Sequence, residues 1–170
     1  MFRTNAALIA AAAAILSAGP VAAADCPSAL ICASNPDGIV RSLQAQGFKA
    51  VLGKSETTGN PKITSAAAGY NYTMYFYGCE QAANCTSLNF AVTFDDDGTN
   101  SVDLANEWNK DKRFTTMAFD PADKSLTVSY DVTTVGGINQ INFADVVDWW
   151  QTMLGQARTF FGAHQSPVKK

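Results

Sequence analysis

Histidine is nearly absent from this sequence: the 170 residues include one, His164. Hydrolysis by a Ser-His-Asp or Cys-His arrangement needs an imidazole held rigidly beside its nucleophile. His164 lies in the C-terminal segment GAHQSPVKK, and we expect residues 163–170 to form a flexible tail. We therefore predict no catalytic residue and no enzyme activity.

Clustered positive charge is also missing. The chain has a formal net charge of −3 and a pI of about 5.0, and no basic run is longer than a pair such as Lys169–Lys170. Nucleic-acid binding needs lysine and arginine gathered on one surface. We expect no nucleic-acid partner.

A long apolar run is lacking as well. The uncharged stretch from Ala6 to Ala18 has about 13 residues, whereas a membrane-spanning helix needs roughly 20. It follows Arg3 and precedes Gly19-Pro20 and two small residues, Ala22 and Ala24. This order predicts a signal peptide over residues 1–24, cleaved between Ala24 and Asp25, with an uncleaved anchor as the alternative. We expect a periplasmic or secreted protein with no membrane span after cleavage.

Four cysteines are present, and both pairs have the spacing C-x5-C: Cys26 and Cys32, then Cys79 and Cys85. An even number in an oxidising compartment indicates two disulfides, although four cysteines allow three connectivities. We favour the two local pairs. Zinc is the alternative, but metal-binding pairs usually sit two to four residues apart. We predict no metal site and no cofactor.

Hydrophobic periodicity predicts an α+β fold with the order α-β-β-β-β-α-β-β-α. The first helix begins at Asn35-Pro36-Asp37 and ends at Gly47, since these residues cap the two ends of helices. Strands follow at 49–54, 62–67, 70–77 and 88–95, then a helix from Asn100 or Ser101 to Trp108, strands at 113–120 and 126–133, and a helix at 139–161. Residues alternate along the strands, so the antiparallel sheet has one dry and one wet face. Residues 25–34 form an N-terminal cysteine-containing segment, and residues 35–162 form one domain.

Three sets of polar residues are candidates for a binding or catalytic site, and for each set we favour a purely structural interpretation. Asp95–Ser101 could collect oxygens around calcium, but it lacks the EF-hand spacing and suits a turn before a helix. Glu107, Asp111, Asp120 and Asp131 contain no pair with a spacing that singles it out for glycoside chemistry. Tyr75 and Tyr77 could stack a sugar, yet sheet packing explains them, so we expect no small-molecule ligand.

Several stretches resemble the YbjN domain family, bacterial proteins catalogued as sensory transduction regulators. These are FYGC, CTSLNF, LANEWNKDKRFTTMAFD, LTVSYDVTTVGGIN and WWQTMLGQARTFF. The resemblance as a whole covers roughly residues 35–161. The most specific positions are Trp108, Asn109, Arg113, Phe114, Asp131, Val132, Gly136 and Gly137. The resemblance implies a fold similar to type III secretion chaperones and a structural rather than enzymatic role for this signature. The signal peptide and cysteines depart from cytoplasmic family members.

The last helix offers an apolar arc of about 160°, wider than one sheet contact requires. We expect Phe143, Val147, Trp150, Leu154 and Phe161 to face the sheet. The flank formed by Val146, Trp149, Met153 and Phe160 is then covered by the first helix, by a second copy or by a partner. We also expect Arg113 and Asp131 to pair across adjacent strands.

These observations predict a non-catalytic exported binding or regulatory domain that acts through protein–protein contacts, by partner binding or self-association. The alternative is a small periplasmic ligand-binding protein or a hydrolase of unknown type.

Overall fold

The computed structural model describes residues 26–164, so the predicted signal peptide, its cleavage site and residues 165–170 lie outside the described part. The elements are β1 (Leu30–Ile31), α1 (Pro36–Ala45), β2 (Ala50–Lys54), β3 (Pro61–Ala67), β4 (Tyr70–Tyr77), β5 (Ser87–Phe94), α2 (Val102–Asp111), β6 (Thr116–Phe119), β7 (Leu126–Thr133), β8 (Ile138–Asn139) and α3 (Gln140–His164). The α+β order predicted from the sequence is confirmed, with two short strands added.

Six of the strands form one sheet in the order β2-β3-β4-β5-β7-β6, and every neighbouring pair is antiparallel. β6 and β7 form a hairpin that places β7 against β5 and leaves β6 at the edge. Alternation separates an inner face, with Met74 and Phe90 fully buried, from an outer face that carries residues such as Thr64 and Thr93. The sheet is therefore buried on one side and exposed on the other, as antiparallel sheets often are.

Helix α3 covers the centre of the inner face through Trp150. The ring of Trp150 lies 5.5 Å from that of Tyr72 on β4 and 5.7 Å from that of Phe90 on β5. Trp150 is fully buried, as are Phe143 and Leu154 on the same helix. Helix α1 packs against β2 and β3, and α2 packs against β6. The three helices thus share one side of the sheet.

Capping residues fix both ends of α1, as the sequence predicts. The side chain of Asn35 accepts a hydrogen bond from the Gly38 amide, and Pro36 occupies the first turn, where its missing N–H costs nothing. At the other end, Gly47 has φ 87° and the Phe48 amide donates to the Leu43 carbonyl. This is the Schellman arrangement, in which a left-handed glycine ends the helix.

The segment before α1 is part of the core. Strand β1 pairs with β8, and Ile31 and Ala33 are almost fully buried. The Ala33 amide donates to Thr134 Oγ1 at 2.8 Å, and the Thr134 amide donates to the Thr86 carbonyl at 2.9 Å. Thr134 therefore joins the N-terminal segment, the β4–β5 loop and the end of β7.

Two boundaries predicted from the sequence are wrong. Helix α3 continues to His164 rather than ending at Phe161, because the His164 imidazole contacts the Phe160 carbonyl at 2.8 Å and Glu107 Oε1 at 3.1 Å. Strand β6 begins at Thr116 rather than at Arg113, since Phe114 adopts φ 69°, a conformation that no strand residue has.

The expected pairing of Arg113 with Asp131 is also wrong. The predicted register holds, because Thr116 lies opposite Ser129. However, the strand stops before it reaches Arg113, and Asp131 instead accepts a hydrogen bond from Asn89 Nδ2 at 2.9 Å.

The free edge of β6 is closed by Asn109 of α2. Its Nδ2 donates to the Met117 carbonyl at 2.9 Å, and its Oδ1 accepts from the Met117 amide at 2.7 Å. One side chain thus makes the pair of bonds that a further strand would make, which protects the edge from other chains.

Replacement of Asn109 by alanine should destabilise the protein by about 1–3 kcal/mol, because two edge hydrogen bonds are lost at once. Urea unfolding of the domain measures the change. Asn106→Ala is the matched control, since this exposed amide lies on the same helix, and its effect should stay within about 0.5 kcal/mol. Equal losses in the two variants would show that the edge contact contributes nothing.

Candidate functional site

The four residues of the apolar flank predicted on α3 differ in how far they are buried. Met153 is buried, Val146 and Phe160 are half-buried, and Trp149 keeps 38% of its surface exposed. The ring of Phe160 lies 5.4 Å from that of Trp108, so α2 rather than α1 covers this part of the flank. Trp149 is the flank residue that remains available to another molecule.

Phe161 departs from the expected sheet-facing stripe. It is half-buried, and its ring lies 4.5 Å from that of Phe94, near the end of β5. The other four members of that stripe are fully or almost fully buried.

Trp149 is one member of an exposed aromatic patch, which we define as Arg113, Phe114, Tyr130 and Trp149. The rings of Trp149 and Phe114 are 4.7 Å apart, and those of Phe114 and Tyr130 are 6.3 Å apart. The Arg113 guanidinium lies 5.0 Å from the Phe114 ring centre, within cation–π range. Phe114 is 43% exposed, so two large aromatic rings face solvent side by side.

The backbone at Phe114 is strained. The Thr115 amide donates to the Arg113 carbonyl at 2.8 Å, which closes a three-residue turn around Phe114 at φ 69°. A γ-turn with positive φ is rare and unfavourable, and a bulky residue there is an outlier. Such conformations persist where the surrounding structure holds them, and they concentrate at functional sites. Here the strain turns an aromatic side chain out of strand alternation and onto Trp149.

A groove of about 400 Å³ continues from the patch along α3. Its lining comprises Lys112, Thr152, Gly155, Gln156, Thr159, Phe160, Ala163 and His164. Lys112 is next to Arg113 in the chain, and Thr152 lies about one helical turn after Trp149. The groove ends at the contact between His164 and Glu107. The groove shares no lining residue with the patch, but it is lined by residues close to Arg113 and Trp149 in the chain.

The patch contains a titratable side chain in an unusual environment. Burial raises the pKa of Tyr130 above 10.0, and the charge of the nearby Asp145 carboxylate raises it further. Both effects disfavour the phenolate. Tyr130 is therefore a neutral hydroxyl group at physiological pH.

The signature residues have two different roles. Trp108 is fully buried and belongs to the core, and Asn109 holds β6. Gly137 has φ 82°, and an added Cβ would lie 2.7 Å from the Leu30 side chain, so this position fixes the approach of β1. Arg113 and Phe114, in contrast, lie on the surface. Of the remaining members, Asp131 is exposed, Val132 is half-buried and Gly136 has φ 76° in the turn before β8.

The four cysteines form two disulfides, Cys26–Cys32 and Cys79–Cys85, each between residues six apart. These are the two local pairs favoured from the sequence. Both lie at the end of the sheet where β4 ends and β5 begins.

The other polar candidates do not assemble into a site. Asp96 and Asp97 accept hydrogen bonds from Gly98 and Thr99 in a turn, and Ser101 caps α2. Glu107 and Asp111 lie on α2, whereas Asp120 follows β6 and Asp131 is on β7. Within residues 26–164, no three His, Cys, Asp or Glu side chains converge so as to hold a metal ion.

Sequence reasoning missed the exposure of Phe114 and the groove. Arg113-Phe114 precedes a strand pattern, so alternation alone extends the strand to include both residues. No local signal predicts a positive φ at phenylalanine, because glycine and asparagine are the residues that normally mark it.

One helical layer on an open six-stranded antiparallel sheet defines the class as α+β. The structure is similar to the crystal structure of YbjN, described as a putative transcription regulator from E. coli, with a TM-score of 0.55 and 12% sequence identity. The match covers 76% of this chain and 94% of that one. At this identity the likeness shows the fold alone.

The family of this chain is identified by a family model that matches its sequence. The model is YbjN, described as "Putative bacterial sensory transduction regulator", and it matches residues 35–163. The chain belongs to the YbjN family. This description is that of a regulator rather than an enzyme. No curated protein matches the chain in sequence.

The position of Asp145 beside Tyr130 is testable by titration. In Asp145→Asn, the pKa of Tyr130 should fall toward 10.0, because the neutral amide no longer opposes the phenolate. Site-resolved NMR of labelled tyrosine rings measures the change, and Asp148→Asn on the same helix is the control. The folded pKa lies above the unfolded one, so the stability from neutral Tyr130 is complete below about pH 10 and lost as pH rises through the folded pKa. An unchanged pKa in Asp145→Asn would place this carboxylate away from the patch.

Proposed function

We propose that this chain is an exported, non-catalytic regulatory domain that binds a protein partner through the aromatic patch and the adjoining groove. The observation that carries the proposal is the exposed pair of Phe114, on the strained turn, and Trp149, on α3, whose ring centres are 4.7 Å apart. A soluble domain gains nothing from keeping two large rings in water, because burial of apolar surface is favourable. A partner that covers both rings recovers that free energy.

The composition of the patch suits a protein interface. Tryptophan, tyrosine and arginine are the residues enriched among those that contribute most binding energy, and the patch contains all three types. Contacts with Trp149 and Arg113 already restrict the Phe114 ring, so little side-chain entropy is lost on binding. Lys112 and Asp145 place one positive and one negative charge at the edge of the patch. Charges of both signs favour a defined orientation of the partner over nonspecific adhesion.

The shape of the site favours a polypeptide over a small molecule. The groove runs along α3 from Thr152 to His164, about three helical turns at 5.4 Å each. An extended or helical segment can follow that length, with an apolar side chain seated against Phe114 and Trp149. We propose a partner protein as the occupant, and a second copy of this chain is the alternative that the experiment below distinguishes.

Export is supported by two independent features. Residues 1–24 have the pattern of a cleaved signal peptide, and the two disulfides fit an oxidising compartment. None of the helices within residues 26–164 has the length and hydrophobicity that crossing a membrane requires. These features, together with the family, support a regulatory role in the bacterial cell envelope.

Loss of Trp149 tests the interface. The mature wild-type protein and the variants Trp149→Ala and Phe114→Ala are immobilised, and the proteins captured from periplasmic extract are quantified by mass spectrometry. A partner should be depleted about tenfold or more with either variant, which corresponds to at least 1.4 kcal/mol of binding free energy. Val102→Ala, 55% exposed at the far end of α2, should capture the partner as wild type does.

Stability measurements separate binding from folding. Because Trp149 is only partly buried, its removal should cost about 1 kcal/mol, less than the 3–5 kcal/mol of a core tryptophan. Equal capture by all variants would contradict the proposed interface. Sedimentation velocity identifies self-association: a wild-type dimer that Trp149→Ala dissociates would replace the partner protein with a second copy.

Export and oxidation are tested by the mass of the protein recovered from the periplasmic fraction. The intact protein should begin at Asp25, and peptides prepared without reductant should contain Cys26–Cys32 and Cys79–Cys85. A chain expressed from residue 25 without the leader should remain in the cytoplasm with reduced thiols. Retention of residues 1–24, or pairing of Cys79 with Cys26 or Cys32, would contradict this assignment.

A further inference from the structure

A second concave site lies at the end of the sheet where the β2–β3 turn meets β4. It has a volume of about 240 Å³ and is formed by the turn from Ser55 to Asn60 together with Tyr75 and Tyr77. Tyr75 and Tyr77 are on the outer face of the sheet, which none of the helices within residues 26–164 covers, and Tyr77 is 53% exposed. This cavity is separate from the aromatic patch, which lies on the turn before β6, on β7 and on α3.

The wall formed by the turn is fixed by hydrogen bonds. The Ser55 amide donates to the Asn60 carbonyl and the Gly59 amide to the Ser55 carbonyl, each at 2.8 Å. Asn60 Nδ2 donates to the Phe76 carbonyl at 3.3 Å, which joins the turn to β4. The cavity is therefore largely preformed, as ligand sites usually are.

The lining combines hydroxyl groups with aromatic rings. Ser55, Thr57 and Thr58 supply aliphatic hydroxyls from the turn, and Tyr75 and Tyr77 supply phenols. Each hydroxyl is one donor and two acceptors, so this wall can both donate to and accept from the hydroxyls of a ligand. The ring of Tyr77 offers a flat apolar surface beside them.

The charge of the lining excludes ionic ligands. Among the described residues that border the cavity, none is charged. Lys62 is opposite Tyr75 on β3, and Glu56 lies in the turn, but neither borders the cavity. A phosphate or carboxylate ligand would find no counter-charge there, whereas a neutral polyol needs none.

From these features we infer that the cavity binds a neutral saccharide of one or two rings. A sugar ring has a hydroxyl-rich edge and an apolar C–H face, and the cavity presents hydroxyls and a tyrosine ring at adjacent walls. The volume is below the roughly 300–1,000 Å³ of sites for drug-sized ligands, which limits the ligand to this size. The site gives the exported domain a second binding activity, directed at glycans, and it does not depend on the proposed protein interface.

The test is an NMR titration of the mature, oxidised protein with maltose, cellobiose and diacetylchitobiose. At least one of these disaccharides should shift the amide signals of residues 55–61 and 75–77. Glucuronic acid serves as the charged comparison and adenosine as the comparison whose larger aromatic base stacks, and both should leave these amides unshifted at the same concentration.

Substitutions identify which side chains contact the disaccharide. Tyr77→Ala should raise the Kd for the bound disaccharide about tenfold, whereas Tyr77→Phe, which keeps the ring, should raise it by no more than about threefold. Thr93→Ala, on the same face at the opposite end of the sheet, should bind as wild type does. These exposed substitutions leave the core intact, and circular dichroism confirms the fold of each variant.

Three results would overturn the inference. The first is that none of the disaccharides shifts the amides of this cavity. The second is that adenosine shifts them as strongly, which would show nonselective stacking. The third is that Tyr77→Ala retains the wild-type Kd, which would remove the aromatic contact from the site.

Discussion

The packing of Trp150 on the sheet is the contact on which the rest of the structure depends. Its ring meets Tyr72 and Phe90 on the two central strands, and it sets the position of α3 across the inner face. Successive residues of a helix differ by about 100°, so a buried Trp150 places Trp149 on the flank of the same helix. Two adjacent tryptophans thus take different roles: one closes the core and the other faces the solvent next to Phe114.

Periodicity predicted most of the fold because long elements repeat their signal many times. Strands β4, β5 and β7 have eight residues each, and alternation identifies both their extent and their buried face. Strands β1 and β8 have two residues each, too few to show a period. Their pairing depends on contacts between residues about 100 positions apart, such as Ala33 with Thr134, which no local window contains.

The candidate site was predictable only in part. The excess width of the apolar arc on α3 correctly pointed to a surface that the sheet does not bury, and Trp149 lies there. The burial of Met153 and the covering of Phe160 by Trp108 depend on where α2 docks, which the sequence of α3 does not contain. The exposure of Phe114 was not predicted, because it depends on a backbone conformation with positive φ that phenylalanine normally avoids. Tyr75 and Tyr77 were considered as sugar-stacking residues and set aside, because the sequence does not show that the turn from Ser55 to Asn60 forms a second wall beside them.

Each disulfide joins cysteines that are consecutive in the chain and six residues apart. Closing so short a loop requires no tertiary structure, and the loop-closure entropy grows only slowly with length. Within each pair the two thiols are six residues apart, whereas α1 and strands β2 to β4 separate Cys32 from Cys79. Of the three connectivities that four cysteines allow, the observed one therefore closes the shortest loops. Each pair can form, and re-form after reduction, independently of the other.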